Sequence, residues 1–485
     1  MIKKVLIANR GEIAVRILRT LKKLKIPSAV VYSDADRNSL HVILSDEAHY
    51  LGPSESSKSY LNMDKIIEIA IKSNCNAIHP GYGFLSENPI FAKKVKEAGL
   101  IFIGPSYKSM ELAGDKIVSK EIAKNVNVPI LPSSPSINSY NEAKKYAKEI
   151  GYPFIIKASK GGGGKGMRIV FNESELLEKY EIAVKEAESA FGDGSVYFEK
   201  YISNPKHIEV QIVADKYGNV FALGERECSI QRRHQKIIEE SPSPSIDDKI
   251  REKLFESAIN FAKAINYYNV GTVEFILDEN KNFYFLEMNT RLQVEHPVTE
   301  WRYNVDLVEL QIRIANGERI NLNNLKPMGH CIEARIYAED PMNNFAPSPG
   351  KIEFLIEPNG PYVRVDSGVY TNYEIPIYYD PMISKLIVYG NTREEAIERM
   401  ICALSEYKIF GIQTNIDFLI EIFKSKKFRD GTYTTKFLEE FKYSSKEPSK
   451  ELINIITSIP SKKVILNKKE EMNSWKLRAN NWEIT

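Results

Sequence analysis

Two short apolar runs, residues 272–277 (TVEFIL) and 283–288 (FYFLEM), flank the polar link 278–282 (DENKN). Both runs are rich in β-branched and aromatic side chains, the pattern of a β-hairpin. A turn centred between Asn280 and Lys281 sets Glu274 directly opposite Glu287. Directly opposed side chains on one sheet face have Cβ atoms about 5 Å apart. Asn289, two residues on, shares that face. Two carboxylates so placed need a cation between them or a raised pKa. Ligands that are all oxygen suit Mg²⁺ or Mn²⁺, which such sites hold together with nucleotide phosphates. The commoner fate of two strand glutamates is a solvated sheet face. Against it stand Arg291, Gln293 and Glu295, which follow at period two. In an extended chain they add a cation, an amide and a carboxylate to the same side, which suits a small oxyanion with a base beside it.

The 485 residues allow about three domains. Lys+Arg 66 against Asp+Glu 64 is nearly balanced, which gives no reason to expect nucleic acid or an acidic membrane as partner. Cys75, Cys228, Cys331 and Cys402 are scattered, without metal-ligand spacing, as in a reducing compartment. Cys228 has no acid–base partner legible in the sequence and is read as structural. No secretory leader and no bilayer-length apolar run is visible, so a cytoplasmic protein is expected.

Strand-like runs at 3–8, 29–33 and 76–79 alternate with helical patterns at 13–24 and 63–72, which predicts a parallel sheet covered by helices. The first turn, Asn9-Arg10-Gly11-Glu12, has one glycine where a dinucleotide fingerprint needs three, which argues against NAD or FAD. Residues 129–139, rich in Pro and Ser, read as a linker. Residues 154–158 (FIIKA) form a strand carrying Lys157, followed by SKGGGGKGM at 159–167 and a second strand at 168–171. A P-loop needs Lys-Ser/Thr and a following helix, and has neither here. A flexible hairpin tip is one reading of the glycines. With a lysine-bearing strand before them, backbone N–H groups folded over phosphates are the better one, as in an ATP-grasp lid. A helix at 173–191 and a strand at 196–199 complete that unit, and a further helix is expected at 305–315.

From residue 1 to about 441 the chain resembles the biotin carboxylases of the ATP-grasp superfamily. The resemblance rests on the loop HPGYGFLSEN at 79–88, the glycine run, EKYI at 199–202, ERECSIQRRHQKIIEE at 225–240, EMNTRLQVEH at 287–296 and GHCIEARIYAED at 329–340. It implies an α/β and α+β chain with an ATP-grasp fold: a Rossmann-like pre-ATP-grasp domain at 1–113, a mobile lid with its linker at 114–203, a catalytic half at 204–328, and a C-terminal biotin carboxylase domain at 329–441. The last includes an Asp-x-Met turn, Asp380-Pro381-Met382. Residues 442–485, with Trp475 and Trp482, are left as a polar tail that could dock a partner.

The resemblance also implies the site. ATP is expected on Lys116, Lys157, Gly161, Gly162, Gly163, Gly164, Lys165 and Gly166. Glu199, Lys200, Tyr201 and Ile202 would form the adenine hinge, with Glu199 reading the N6 amine, and His207, Gln231 and His234 would lie near the nucleotide. Glu274, Glu287 and Asn289 would hold metal. Bicarbonate and biotin fall to Tyr82, Lys236, Arg291, Gln293, the Val294 N–H and Arg335, with Glu295 as base. ATP would phosphorylate bicarbonate to carboxyphosphate, and its CO₂ would pass to biotin. No Met-Lys pair occurs to accept biotin, so a biotin carboxyl carrier protein and a carboxyltransferase subunit, of an acyl-CoA or pyruvate carboxylase, are expected as partners, with homodimerisation. The alternatives are another ATP-grasp ligase, joining a carboxylate to an amine, and an inactive nucleotide-binding regulatory subunit.

Overall fold

Buried aliphatic runs near the start of the chain pair as a parallel sheet. In the computed structural model, which describes residues 1–159, 167–233 and 235–444, its strands are β1 (Val5–Ile7), β2 (Ser28–Ser33), β3 (Glu47–Gly52), β4 (Ala77–His79) and β5 (Ile101–Phe102). Their order is β3-β2-β1-β4-β5. The expected strands are present. β3 and β5 escaped notice, because β3 reads EAHYLG and is half exposed and β5 has two residues. The connection reverses direction between β1 and β4, and crevices for ligands open at such switch points. The turn after β1 and the loop after β4 meet there. Gly81 and Gly83 both have φ near +65°, and a Cβ on Gly81 would lie 2.9 Å from the Asn9 side chain. The close approach lets Asn9 Nδ2 donate to the carbonyls of Pro80 and Tyr82, each at 2.7 Å.

The lysine-bearing strand lies in a small antiparallel sheet of β6 (Phe154–Ala158), β7 (Arg168–Val170) and β8 (Val196–Lys200), in the order β7-β6-β8. Helices Tyr140–Ile150 and Leu176–Phe191 cover its apolar face. The predicted helix at 173–191 opens as a 3₁₀ turn, Glu173–Glu175. The predicted linker is no free tether. Ile130 bridges to Phe285, Ser133 to Glu199 and Ile137 to Val196, because its backbone groups, partly buried, must find partners.

An eight-stranded antiparallel sheet carries the remainder: β9 (Lys206–Ala214), β10 (Val220–Arg232), β11 (Gln235–Ser241), β12 (Asn269–Leu277), β13 (Phe283–Asn289), β14 (His330–Tyr337) and the strands Val363–Ser367 and Met382–Gly390. Strands on both sides of residue 328 share it. One face packs on helices Arg393–Glu406 and Ile416–Lys424 through Ile332, Ala334, Ile336, Leu386 and Met400. On that face Glu240 is a buried hub. It accepts from His330 Nε2 at 2.6 Å, from Arg393 at 2.7 and 2.9 Å, and from the Tyr433 hydroxyl. Among the described residues no helix is long and apolar enough to cross a membrane. The tail beyond residue 444, with Trp475 and Trp482, and the expectations placed on it lie outside the described residues.

Candidate active site

β12 and β13 pair with Glu274 opposite Glu287, as the hairpin pattern predicts. The turn itself differs. Leu277 pairs with Phe283, which centres it on Asn280, and a bulge at Leu286 restores the register between Phe275 and Glu274. The bulge keeps Phe275 and Phe285 in the core while Glu274, Glu287 and Asn289 reach a common cavity. This cavity is about 850 Å³ and is also lined by Tyr82, His207, Gln231, Lys236, Arg291, Gln293, Val294 and Arg335.

At its floor Lys236 meets three carboxylates: Glu209 at 2.5 Å, Glu274 at 2.8 Å and Glu295 at 2.8 Å. Burial disfavours the ammonium, but Glu209, Glu274 and Glu295 outweigh it and push Lys236 well above its ordinary value. Lys236 was expected to hold bicarbonate. Here its donors are engaged, so an arriving anion must exchange with one of these carboxylates. Glu209 is itself fixed by Arg226, wholly buried, which also donates to Gln211 at 2.7 Å, Thr299 at 2.9 Å and Thr272 at 3.0 Å. Sequence reasoning gave Glu209 no role and missed Arg226. A signal was there for Glu209, which follows His207 at period two and so shares its face.

Burial would raise Glu274, yet Lys236 and His207 hold it well below the carboxylate range. His207 Nε2 stands 3.1 Å from Glu274 Oε2. Glu287 is raised by burial and then by the charge of Glu274. An oxygen-binding divalent cation between the two would relieve that repulsion, so the donor set fits Mg²⁺ or Mn²⁺. Asn289 Oδ1 accepts from Arg291 Nη2 at 3.1 Å and Asn289 Nδ2 donates to Glu274 at 2.8 Å. As a metal ligand, Asn289 must release Arg291.

Beyond Asn289 the chain leaves the sheet, so 290–295 is an irregular turn and not the extended segment that the alternation assumed. The side chains still converge. Gln293 donates to Glu274 at 3.2 Å and accepts from Arg291 Nη1 at 2.9 Å. Glu295, fully buried, accepts from Lys236 and from Arg335 Nη2 at 3.0 Å. Burial opposes its charge, but Lys236, Arg335 and Arg226 hold Glu295 well below its usual range and so ionised. Glu87 organises this turn from the 79–88 loop: it accepts from the Thr290 N–H at 2.9 Å and from Arg291 Nε at 2.8 Å. Glu87→Gln is expected to raise the KM for bicarbonate by roughly tenfold, the scale of one weakened hydrogen bond to a charged group, with the KM for ATP unchanged. An unchanged bicarbonate KM in initial-rate assays contradicts that role. Tyr82 donates to Glu12 at the cavity wall. Cys228 is buried and its thiol is pushed up by burial, which leaves it unreactive.

The residues expected to bind nucleotide lie on or next to the small sheet. Lys116 opens helix Lys116–Asn125, whose N-terminus is capped by Asp115 accepting from Ile117 and Val118 N–H at 2.9 and 3.0 Å. Lys120, one turn on, was missed although i and i+4 share a helix face. Glu199 was expected to read an amine. Its buried carboxylate is instead paired with Lys157 and Lys120, which a buried charge requires. At the expected hinge the Lys200 and Tyr201 N–H groups already donate to Pro132 and Pro153 carbonyls at 2.8 and 3.2 Å. Lys200 Nζ caps the Gly151 and Tyr152 carbonyls at 3.1 and 3.0 Å. Gly161 to Gly164, Lys165, Gly166 and His234 lie outside the described residues.

Residues 1–110 match the family described as biotin carboxylase, N-terminal domain. Residues 115–323 match the carbamoyl-phosphate synthase L chain, ATP binding domain, and residues 333–440 the biotin carboxylase C-terminal domain. The chain is 51% identical over 445 residues to biotin carboxylase 1 of Bacillus subtilis, covering 91% of this chain and 99% of that protein. It is 51% identical over 440 residues to the biotin carboxylase of a Nostoc species, covering 90% and 98%. The biotin carboxylase domain dimer of Hydrogenobacter thermophilus 2-oxoglutarate carboxylase, solved with MgADP, ADP and bicarbonate, superposes with a TM-score of 0.86 at 50% identity, covering 92% of this chain and 100% of that one. With a cationic turn set beside paired carboxylates, and with these relatives matched over nine-tenths of its length, the chain belongs to the biotin carboxylase family.

Proposed function

We propose that this protein uses ATP and bicarbonate to carboxylate biotin presented by a carrier protein, with the buried Glu295 as the base. The observation that carries the assignment is that Lys236 and Arg335 meet on Glu295 while Arg291 and Gln293 line the same cavity beside the Glu274/Glu287 pair. Arg291, Gln293 and the Val294 N–H hold bicarbonate in one orientation, which removes an entropic part of the barrier. Glu295 takes the bicarbonate proton as a bicarbonate oxygen attacks the γ-phosphorus of ATP, and the γ-phosphorus bond to the β-phosphate oxygen breaks to release ADP. Carboxyphosphate then breaks its C–O bond to give CO₂ and phosphate. The ureido nitrogen of biotin forms the new C–N bond, its proton passes to phosphate, and Arg335 and Tyr82 line the side from which biotin enters. Lys116, Lys120 and Lys157 offset phosphate charge. A divalent ion on Glu274, Glu287 and Asn289 would neutralise charge on the transferring phosphoryl group.

In this reading residues 114–203 cover the nucleotide, while 1–113 and 329–441 flank biotin. A carboxyltransferase and a second copy of this chain complete the assembly. The presence of Glu274, Glu287 and Glu295 together argues against an inactive regulatory role, and the matched N- and C-terminal segments favour biotin over an amine as acceptor. ATP cleavage by the purified chain is expected to require bicarbonate and a divalent ion, to rise on addition of free biotin, and to stop on chelation. ATP cleavage indifferent to bicarbonate contradicts the assignment.

A further inference from the structure

A second group of acidic side chains lies behind Arg335, in the sheet rather than the cavity. β11 and β14 run antiparallel with Glu239 directly opposite Glu333. Both are fully buried, and like charges directly opposed on a sheet destabilise it. Glu239 Oε1 accepts from Arg335 Nε at 2.6 Å, while its Oε2 has no hydrogen-bond partner among the described residues, and neither has either oxygen of Glu333. The charged groups around Glu333 are Glu239 across the ladder, Arg335 on its own strand, Glu295 before helix His296–Tyr303, and Lys385 on strand Met382–Gly390. Lys236 joins them around Glu239. Lys385 is committed elsewhere: its Nζ donates to the Val294 carbonyl at 2.8 Å and lies 3.4 Å from Glu12 and 3.8 Å from Asp366. His296, buried near Lys385, is held neutral by burial and by that lysine.

We infer that Glu239 and Glu333 share one proton, so that the pair carries a single negative charge, and that ionised Glu239 is the positioning residue that draws Arg335 off Glu295. The inference rests on the roles given above to Arg335 and Glu295. Burial, and then Glu295 against the pull of Arg335, pushes Glu239 up to about 7. Burial pushes Glu333 well above the carboxylate range, Lys385 opposes, and Glu239 adds to the rise. Arg335 therefore has two competing carboxylates. When the proton rests on Glu239, Arg335 falls to Glu295 alone and weakens it as a base. When the proton rests on Glu333, Arg335 is held between the two.

Two glutamine variants separate these states. In E333Q the charge is fixed on Glu239, and turnover is expected to stay near wild type, with the acid limb of the pH–rate profile moved to lower pH. In E239Q the charge passes to Glu333, which does not touch Arg335. Turnover is expected to fall roughly 10- to 100-fold, the scale of losing a hydrogen bond to a charged group, and the acid limb to lose that inflection. The ionisation of bicarbonate is common to all three proteins and cancels in the comparison. Infrared difference spectra of the full chain, wild type minus E333Q, are expected to show the carbonyl band of one un-ionised carboxylic acid. This readout needs no activity, so it decides the shared proton even if the catalytic reading fails or E239Q does not fold. Equal loss of turnover in both variants with unchanged pH profiles, or absence of the carboxylic band, overturns the inference.

Discussion

Glu295→Gln is expected to lower bicarbonate-dependent turnover by about 10²- to 10⁴-fold, the usual cost of removing a general base. Nucleotide affinity should hardly change, because Glu295 is buried against Lys236 and Arg335. Glutamine keeps the shape and one acceptor, but it cannot take the proton. Its amide also leaves Lys236 and Arg335 one counter-charge short. Steady-state rates with ATP binding measured in parallel test this. Near-wild-type turnover removes Glu295 from the mechanism.

The second large effect falls on stability. Glu240→Gln removes the charge that Arg393 and His330 share inside the C-terminal core. Breaking a buried pair by taking one partner typically costs about 3–5 kcal/mol. The pH dependence has a definite sign. Burial opposes the charge of Glu240, but hydrogen bonds from His330 and Arg393 pull it from its ordinary 4.5 to about 2. A depressed carboxylate stabilises the fold fully above its unfolded value, and that stability is lost as pH falls through the folded one. The wild-type advantage over E240Q should therefore be complete above pH 4.5 and shrink towards pH 2. Thermal denaturation of both proteins across that window measures it. A pH-independent gap, or none, contradicts the account.

Elements with strong periodicity were legible in the sequence, and so was the pairing of Glu274 with Glu287. The register survived an incorrect turn because the Leu286 bulge compensates by one residue, something that no alternation pattern announces. Arg291, Gln293 and Glu295 were found by an assumption that the structure replaces. The segment is a turn, and Glu87, Lys236 and Arg335 draw its side chains inward. What remained hidden depends on distant partners. Lys120 and Glu199 meet across 79 residues, Arg291 and Glu87 across 204. The 129–139 segment looked like a tether because Pro and Ser fit either a free linker or a strand edge, and only the neighbouring strands Phe283–Asn289 and Val196–Lys200 decide. Glu239 and Glu333 carry no signal in the sequence, because their opposition exists only once β11 and β14 pair.

The central claim, that one buried base and one anion clamp pass bicarbonate carbon to biotin, is tested most directly with radiolabelled bicarbonate. The chain, ATP, a magnesium salt and free biotin are incubated with it, and the products are separated in alkali, which preserves carboxybiotin. The account predicts label in biotin, dependent on ATP and lost in Glu295→Gln. ATP cleaved by the active chain with no label ever reaching biotin contradicts it.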